Sequence, residues 1–278
     1  MLAHYVAPVR HSHIIRFQSD QRAAARAFVG RILWVQGFPT QAMGAVERAV
    51  DDASASNHVV SLCLVLAHAA CQIAMWTGDL DMADQYVERL INLSTRHSLA
   101  RWRAYGLSHQ GVLAIKRGDI AGGLRRLTSG LGELGDATSS FRFSMYLSDM
   151  VEALGRIGRV GQGLSALEAA IEQAEETEER WSIAELLRIK GELLLSRGAS
   201  GAAAEAEEQF RRALDLARRQ GALSWELRAA TSFARLLRDQ GRSGEGTELP
   251  QPVYDRFTEG FDTVDLKAVK SLLHDLHH

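Results

Sequence analysis

The chain has 278 residues, of which 46% are hydrophobic and 24% are charged, with 24 glycines, 4 prolines and 2 cysteines. This composition excludes a wholly disordered chain, a collagen-like chain and a disulfide scaffold, and it disfavours an all-β sandwich, because few prolines accompany many alanines and leucines. A formal net charge of −2 argues against broad, sequence-independent binding of nucleic acid, which needs an excess of cationic residues.

The first 19 residues show no helical periodicity over their first ten positions, and they contain Pro8 and the histidines His4, His11 and His13. We therefore predict a short lead-in segment over residues 1–19. This segment has neither the charged and apolar leader of a secretory signal nor the polar cap with which a helical array normally begins. The start of the chain resembles a cut through a longer array.

The longest apolar run covers residues 59–73, which is too short for a membrane span and includes His68 and Gln72. The two cysteines, Cys63 and Cys71, both lie within this run. Buried, reduced thiols are the expected state of such cysteines, and that state is typical of a reducing compartment. We interpret the chain as a cytoplasmic protein without a membrane partner.

A turn that contains glycine recurs along the chain at spacings of 41, 40, 40, 40 and 43 residues. These glycines fit helix ends, where the backbone enters a left-handed conformation that glycine adopts without strain. Each one is preceded and followed by a helical stretch of roughly 16–20 residues. The turn glycines are Gly37, Gly78, Gly118, Gly158, Gly198 and Gly241.

Small residues mark where the two helices of each unit approach one another. A small residue lies five positions after each of the first four turn glycines, an apolar residue follows four positions later, and a small or apolar residue follows three positions after that. This spacing keeps the residues on one helix face, so that antiparallel helices can pack closely. The fifth unit shows the pattern three residues late, at Ala206, Phe210 and Ala213, which indicates an insertion in the turn over 198–204.

The small residues, the turn glycine and the Ala-x3-Phe-x2-Ala second helix resemble the tetratricopeptide repeat (TPR). The resemblance covers about residues 22–242, with a period longer than that of the standard motif, as in the repeat arrays of large bacterial signalling proteins. It implies an all-α fold, a right-handed TPR-like α-solenoid of about six helical hairpins over residues 20–243 with a C-terminal capping helix.

Three further segments resemble the C-terminal repeat region of bacterial transcriptional regulators that combine a winged-helix DNA-binding domain with a STAND-type ATPase. These segments cover residues 31–39, 76–83 and 254–263. The resemblance implies a sensor or interaction region of such a regulator. The chain has no Gly-x4-Gly-Lys motif, so we do not expect the ATPase within it.

Residues 244–278 break the repeat pattern. Pro250 and Pro252 prevent a regular helix at their positions, and we predict that a helix resumes over 253–259. The last stretch predicts a closing amphipathic helix with Thr263 as its N-cap. We therefore expect an irregular segment followed by a capping helix.

Catalytic motifs are not evident in the sequence. There is no Gly-x-Ser-x-Gly and no His-Glu-x2-His, and no pair of nucleophile and base stands out. Cys63, His68 and Cys71 lie on one helix, where their side chains diverge too far to meet at one metal ion. We therefore expect a non-catalytic protein that uses neither a metal nor a cofactor.

Candidate binding residues follow from the inward positions of the first helices, which line the concave groove of TPR arrays. The C-terminal half of this set offers arginines, whose guanidinium groups suit carboxylates or phosphates on a ligand. These charges can instead solvate an exposed helix face or pair with one another. The candidate groove residues are Arg31, Trp34, His68, Gln72, Trp76, Tyr105, Glu152, Arg188, Glu192, Arg228 and Arg235.

The five tryptophans lie at the beginnings or ends of first helices, where they either fill gaps between repeats or form a platform for a ligand. A glutamate-rich run covers residues 168–180. Because neighbouring second helices stack, we expect this acidic face to meet the basic residues one repeat later. Those basic residues are Arg211, Arg212, Arg218 and Arg219.

Two binding functions are open from the sequence, beside a third class, an enzyme with an unrecognised site. The first is a module that binds a protein, a peptide or a small molecule as the sensor region of a signalling regulator, here without the ATPase and DNA-binding domains and without direct nucleic-acid contact. The second is a free-standing TPR scaffold that holds a peptide or a partner helix in its concave groove. A tight small-molecule ligand in the groove would favour the sensor over the scaffold.

Overall fold

The computed structural model describes residues 19–135 and 140–277, so the predicted lead-in segment lies outside the described residues except for Ser19. Every regular element of the described residues is a helix, which confirms the all-α prediction. The helices from Gln21 to Asp239 are each 15–19 residues long, a length that matches the predicted spacing of helix ends.

The first six helices are α1 (Gln21–Val35), α2 (Pro39–Ala55), α3 (Val59–Thr77), α4 (Leu80–Arg96), α5 (Ala100–Lys116) and α6 (Ile120–Leu134). The next five are α7 (Ser140–Arg156), α8 (Val160–Glu176), α9 (Ile183–Arg197), α10 (Ala202–Gln220) and α11 (Leu223–Asp239). The last three are the short α12 (Ser243–Glu248), the short α13 (Gln251–Tyr254) and α14 (Val264–His277).

The six turn glycines all adopt the left-handed conformation between helices, with φ from 63° to 98°. Residues with a Cβ atom disfavour this region, so glycine permits each helix to end and the chain to reverse within two or three residues. The turn after α9 is longer than the others and holds a second left-handed glycine, Gly201, before α10 begins at Ala202. The turn is one residue longer than the three-residue turns, and residues 202–204 of the predicted insertion are already part of α10.

The described chain forms two compact units. The first unit comprises residues 19–34, Phe38–Leu113 and Arg125–Leu134, and the second comprises the remaining described residues. The 40-residue spacing of the turn glycines continues through residues 113–135, where the chain passes between the units. The spacing therefore gives no sign of this division.

Helix α3 lies in the core of the first unit, where Cys63, Leu66 and Ile73 are fully buried. Its helical conformation continues to Thr77, four residues beyond the apolar run that the sequence shows. Among the described residues, α3 is the one helix whose length and composition would allow it to cross a membrane, yet 78% of its most apolar window is buried inside the protein. A helix in the core of a folded unit passes the same test of length and composition, and it is mostly buried in the same way.

The core of the second unit centres on Phe210 of α10, which is fully buried beside Gly191 of α9. The closing helix α14 joins the same core through Leu266, Val269 and Leu273, whose spacing of three and four places them on one helix face. The Thr263 hydroxyl donates a hydrogen bond to the Gly260 carbonyl at 2.7 Å, and no side-chain cap from Thr263 to α14 is present among the described contacts.

The predicted helix over 253–259 is wrong. The helix in this region is α13, which begins at Gln251 and ends at Tyr254. Proline lacks a backbone N–H, but the first turn of a helix does not use that group, so Pro252 is accommodated inside the helix as its second residue. The prolines therefore start the helix instead of delaying it.

Replacing Gly191 by alanine tests the close approach of α9 and α10. An added Cβ would lie 2.5 Å from Cε1 of Phe210, a ring that is fully buried and cannot move aside cheaply. We expect Gly191→Ala to lower the free energy of unfolding, measured by urea titration, by about 1–3 kcal/mol. Gly161→Ala in α8 is the control, because no atom lies within 4 Å of its added Cβ. An equal effect of the two substitutions would contradict this packing.

Candidate functional site

The predicted groove residues of the first unit lie on three helices, α1, α3 and α5. All of them are buried except His68, which is half-buried. Several of them are in direct ring contact, so the structure brings this half of the predicted set together. We call this set the aromatic site and define it as Arg31, Trp34, His68, Gln72, Trp76 and Tyr105.

The middle of α3 is a π-helical turn, Leu66–Ala70, with His68 at its centre. In this turn the backbone N–H of Cys71 donates to the carbonyl of Leu66, five residues earlier. The next carbonyl, that of Ala67, accepts a hydrogen bond of 2.7 Å from Nε2 of the fully buried His109 on α5. Such single π turns occur frequently at functional sites, where the added residue redirects a side chain.

Aromatic rings surround this turn in two groups. The Trp34 and Trp76 rings stack with their centroids 4.3 Å apart. The His68 ring makes edge contacts with Tyr105 at 4.9 Å and with the half-buried Trp102 at 5.7 Å. The tryptophans that the sequence leaves as either gap fillers or a platform therefore pack mainly against other rings.

Nδ1 of His68 and Oε1 of Gln72 are among the buried polar atoms of the aromatic site for which no hydrogen-bond partner is found among the described residues. Burial, followed by the positive charge of Arg31 and the neighbouring His109, lowers the pKa of His68 to about 3. The imidazole is therefore neutral at physiological pH. A buried polar group without a partner costs about 1–3 kcal/mol, so each such group in a native structure calls for an explanation.

The predicted charged residues of the second unit form a network of ion pairs centred on Arg188 of α9. Its guanidinium contacts Glu185 at 2.8 Å, Glu152 of α7 at 2.8 Å and Glu192 at 3.4 Å. Glu192 also accepts a hydrogen bond of 2.6 Å from the hydroxyl of Ser232 on α11. Four of the eleven predicted groove residues, Glu152, Arg188, Glu192 and Arg228, belong to this network.

Glu185 joins the two arginines of the network. Its carboxylate also contacts Arg228 at 3.1 Å, and Arg228 reaches Asp265 of α14 at 2.8 Å. Only 2% of the Glu185 surface is exposed. Burial alone would raise the pKa of Glu185, but Arg188 and Arg228 outweigh it and lower the pKa to about 2. The carboxylate is therefore ionised and fully paired.

The arginines of the network are engaged with carboxylates of the chain itself, which is the alternative that the sequence left open. Their guanidinium groups serve to join α7, α9, α11 and α14 within the second unit. Arg235 lies outside this network and is exposed, and it forms no ion pair with any described residue.

Three residues that form contacts in these clusters were not among the residues predicted from the sequence. Glu185 lies three residues before Arg188, a helical pairing distance that could have indicated it. Asp265 lies 37 residues after Arg228, and His109 lies 42 residues after the carbonyl that it binds, so neither had a local signal. Long-range partners of this kind depend on how helices pack, which periodicity alone does not specify.

The basic residues of α10 do not meet the glutamate-rich run in the way that the sequence predicts. Arg211 pairs with Glu207 on its own helix, and Arg218 pairs with Glu226 of α11 at 2.9 Å. That prediction is wrong for these two arginines because partners nearer in the structure, at four and eight positions along the chain, satisfy their charge. Arg212 and Arg219 form no ion pair with any described residue.

No group of three or more histidine, cysteine, aspartate or glutamate side chains within the described ranges could hold a metal ion. Cys63 and Cys71 are free, buried thiols, and burial raises the pKa of the Cys63 thiol to about 11. Both thiols are therefore protonated and unreactive at neutral pH.

Comparison with known sequences finds a distant relative of unassigned role. The chain is 25% identical over 204 residues to an uncharacterized protein of Rhizobium meliloti, a match that covers 73% of this chain and 20% of that protein. The chain thus spans about a fifth of the length of the relative that it matches. No protein-family model matches the sequence.

The Glu185→Gln substitution tests the buried ion pairs. Neutralising this carboxylate leaves the buried Arg188 and the half-buried Arg228 undercompensated, so we expect the free energy of unfolding to fall by about 3–5 kcal/mol. The folded pKa lies below the ordinary value, so the contribution is complete above about pH 4.5 and is lost as the pH falls towards 2. Urea titrations over this pH range should show that the free energy of unfolding falls less steeply with decreasing pH in the variant than in the original protein.

Glu168→Gln is the control for that experiment, because Glu168 pairs with Lys190 at 3.1 Å but is 61% exposed. Exposed pairs contribute about 0–1 kcal/mol, so we expect a small effect. Equal losses in the two variants would show that the buried network does not stabilise the second unit.

Acid should also destabilise the first unit through His68. Its folded pKa is about 3, below the ordinary value of 6.5, so the unfolded chain binds the proton more readily as the pH falls below 6.5. We expect His68→Gln to reduce the slope of unfolding free energy against pH by up to about 1.4 kcal/mol per pH unit between these values. The exposed His97→Gln is the control, and an unchanged slope in His68→Gln would refute a buried, neutral His68.

Proposed function

We propose that the chain is a non-catalytic binding module whose aromatic site holds a small molecule or a peptide side chain. The observation that carries this proposal is the pair of buried polar atoms without partners, Nδ1 of His68 and Oε1 of Gln72, among aromatic rings at a π-helical turn. A fold selected for stability alone gains nothing from keeping such atoms unpaired. A bound molecule that forms hydrogen bonds with these atoms offsets the free energy lost by burying them unpaired.

The chemistry of the site indicates the kind of ligand. The half-buried ring of Trp102 offers a flat, apolar surface that favours a planar group, and the carboxamide oxygen of Gln72 accepts a hydrogen bond. Neutral His68 supplies one donor or one acceptor, depending on its tautomer. His68 and Trp102 are half-buried, so a ligand would enter at their side of the site.

We further propose that the helices form a TPR-like α-solenoid. Left-handed glycines that end helices at intervals of about 40 residues support this assignment. Close contacts at small residues support it as well: an added Cβ on Gly30 of α1 would lie 2.8 Å from Val46 of α2, and one on Gly106 of α5 would lie 2.6 Å from Ile91 of α4. In such an array the first helices line one surface, and the aromatic site lies on first helices.

The regulator resemblance extends this proposal to a sensor region of a longer, cytoplasmic signalling protein. The match to a fifth of a longer relative supports a segment that works together with other domains. The buried thiols of Cys63 and Cys71 fit a reducing compartment. A ligand would change the activity of such a protein only by binding its resting and active states with different affinity.

The Gln72→Leu variant tests the proposal, because it should separate stability from binding. Leucine removes the unpaired oxygen at similar volume, so we expect equal or higher thermal stability together with a loss of ligand affinity of at least about tenfold. Ligands would be sought by tryptophan fluorescence and thermal shift with planar heteroaromatic metabolites and short peptides. Gln110→Leu, at an exposed position of α5, is the control.

The outcomes of this experiment are distinct. A ligand that stabilises the protein and the Gln110→Leu variant, but not Gln72→Leu, supports the aromatic site. If no compound binds, or if Gln72→Leu binds as tightly as the original protein, the site does not have this function.

A further inference from the structure

A cleft of about 570 Å³ lies in the second unit, and no residue of the ion-pair network lines it. It is unconnected with the proposed function of the aromatic site. Its walls are the end of α8, the turn before α9, the start of α9 and the outer face of α10. Clefts of this volume are of the size that small-molecule ligands occupy.

Three guanidinium groups line the cleft. Arg212 and Arg219 are seven residues apart on α10, so they lie on the same face of that helix, and Arg180 joins them from the turn before α9. None of the three forms an ion pair with any residue in the described part of the chain. Arg212 donates one hydrogen bond of 3.5 Å to Oε1 of Gln209, and all three arginines retain further donors that suit a carboxylate or a phosphate.

Each of the two arginine doublets of α10 contains one residue that is paired with a carboxylate and one that is not. The first members, Arg211 and Arg218, are neutralised by Glu207 and Glu226. The second members, Arg212 and Arg219, face the cleft without carboxylate partners. Charge balance along α10 does not by itself explain why only the first arginine of each doublet is paired with a carboxylate.

The acidic residues of the cleft do not neutralise these arginines. Asp215 lies three residues after Arg212 and four before Arg219, which are the spacings at which helical ion pairs form, yet neither pair is present. Glu175 at the opposite wall is unpaired as well. Three positive charges against two negative ones leave the cleft with a net positive charge.

The floor of the cleft is apolar. Ile183 and Leu187 of α9 are almost completely buried, and Leu216 of α10 is half-buried between the two arginines. An inorganic anion would leave this floor uncovered, whereas a ligand with a short apolar body would bury it. The cleft therefore combines recognition of an anionic group with a hydrophobic surface.

We propose that this cleft is a binding site for small anionic amphiphiles, that is, molecules with a carboxylate or phosphate head on a short apolar body. Arg180, Arg212 and Arg219 hold the head group, and Ile183, Leu187 and Leu216 contact the apolar body. Glu175 and Asp215, which also line the cleft, disfavour ligands that carry more than one or two negative charges.

Isothermal titration calorimetry with four probes tests the proposal on the full chain. Hexanoate and hexyl phosphate carry the head group on an apolar body, inorganic phosphate lacks the body, and hexanamide lacks the charge. We expect the two amphiphiles to bind roughly tenfold or more tightly than phosphate or hexanamide, and their affinity to fall as salt is added. The ratio between hexanoate and hexyl phosphate identifies the preferred head group.

Paired double variants locate the binding. Arg212→Gln with Arg219→Gln should weaken hexanoate and hexyl phosphate binding by at least about tenfold. Arg211→Gln with Arg218→Gln removes the same charge from the same helix and should bind as the original protein does. This control keeps its fold because Glu207 and Glu226 each retain a second arginine, Arg242 at 3.0 Å and Arg256 at 2.7 Å.

Circular dichroism melting would check that both double variants are folded. We expect the Arg212 and Arg219 double variant to be folded because both residues are exposed. The proposal is overturned if the original protein binds neither amphiphile. It is equally overturned if the two double variants lose affinity to the same extent, since binding would then follow the overall charge of α10 instead of the cleft.

Discussion

The left-handed glycine after each of six long helices is the constraint on which the candidate sites depend. It fixes where α1, α3, α5, α7, α9 and α11 end and lets the chain reverse direction within a few residues. In the second unit, for example, Glu152 lies six residues before the glycine that follows α7, and its carboxylate contacts Arg188 of α9. Small residues then allow the helices to approach closely enough for such contacts.

The ion-pair network and the aromatic site hold their buried polar groups in different ways. The second unit buries Glu185 but surrounds it with two guanidinium groups, so desolvation is offset by charge pairing and hydrogen bonds. The first unit buries the imidazole of His68 and the carboxamide of Gln72 without that compensation. Fully satisfied networks make a fold rigid, whereas partly satisfied ones favour a change that completes them. This contrast is why we assign stability to one cluster and binding to the other.

The helices and their ends could be predicted from the sequence because they depend on local chemistry. Helix-forming residues and periodic small residues indicate the helices, and glycines, which readily adopt the left-handed conformation, indicate their ends. The π-helical turn could not, since α3 is apolar on nearly all sides and one added residue hardly disturbs its pattern. The aromatic residues were predicted as a set, but their burial was not, because tryptophan at a helix end serves a core and a groove equally well. The pairing of Arg228 with Asp265 depends on the packing of α14, which no nearby residue encodes.

The π-helical turn also affects how this chain can change in length. Each residue of an α-helix advances the helix by about 100°, but the wider turn at Leu66–Ala70 accommodates one additional residue within a single turn. Loss of one residue there would therefore restore a regular helix and leave Gln72 and Trp76 facing nearly their present neighbours. A single-codon deletion elsewhere in α3 has no such compensation and would rotate one part of the helix against the other.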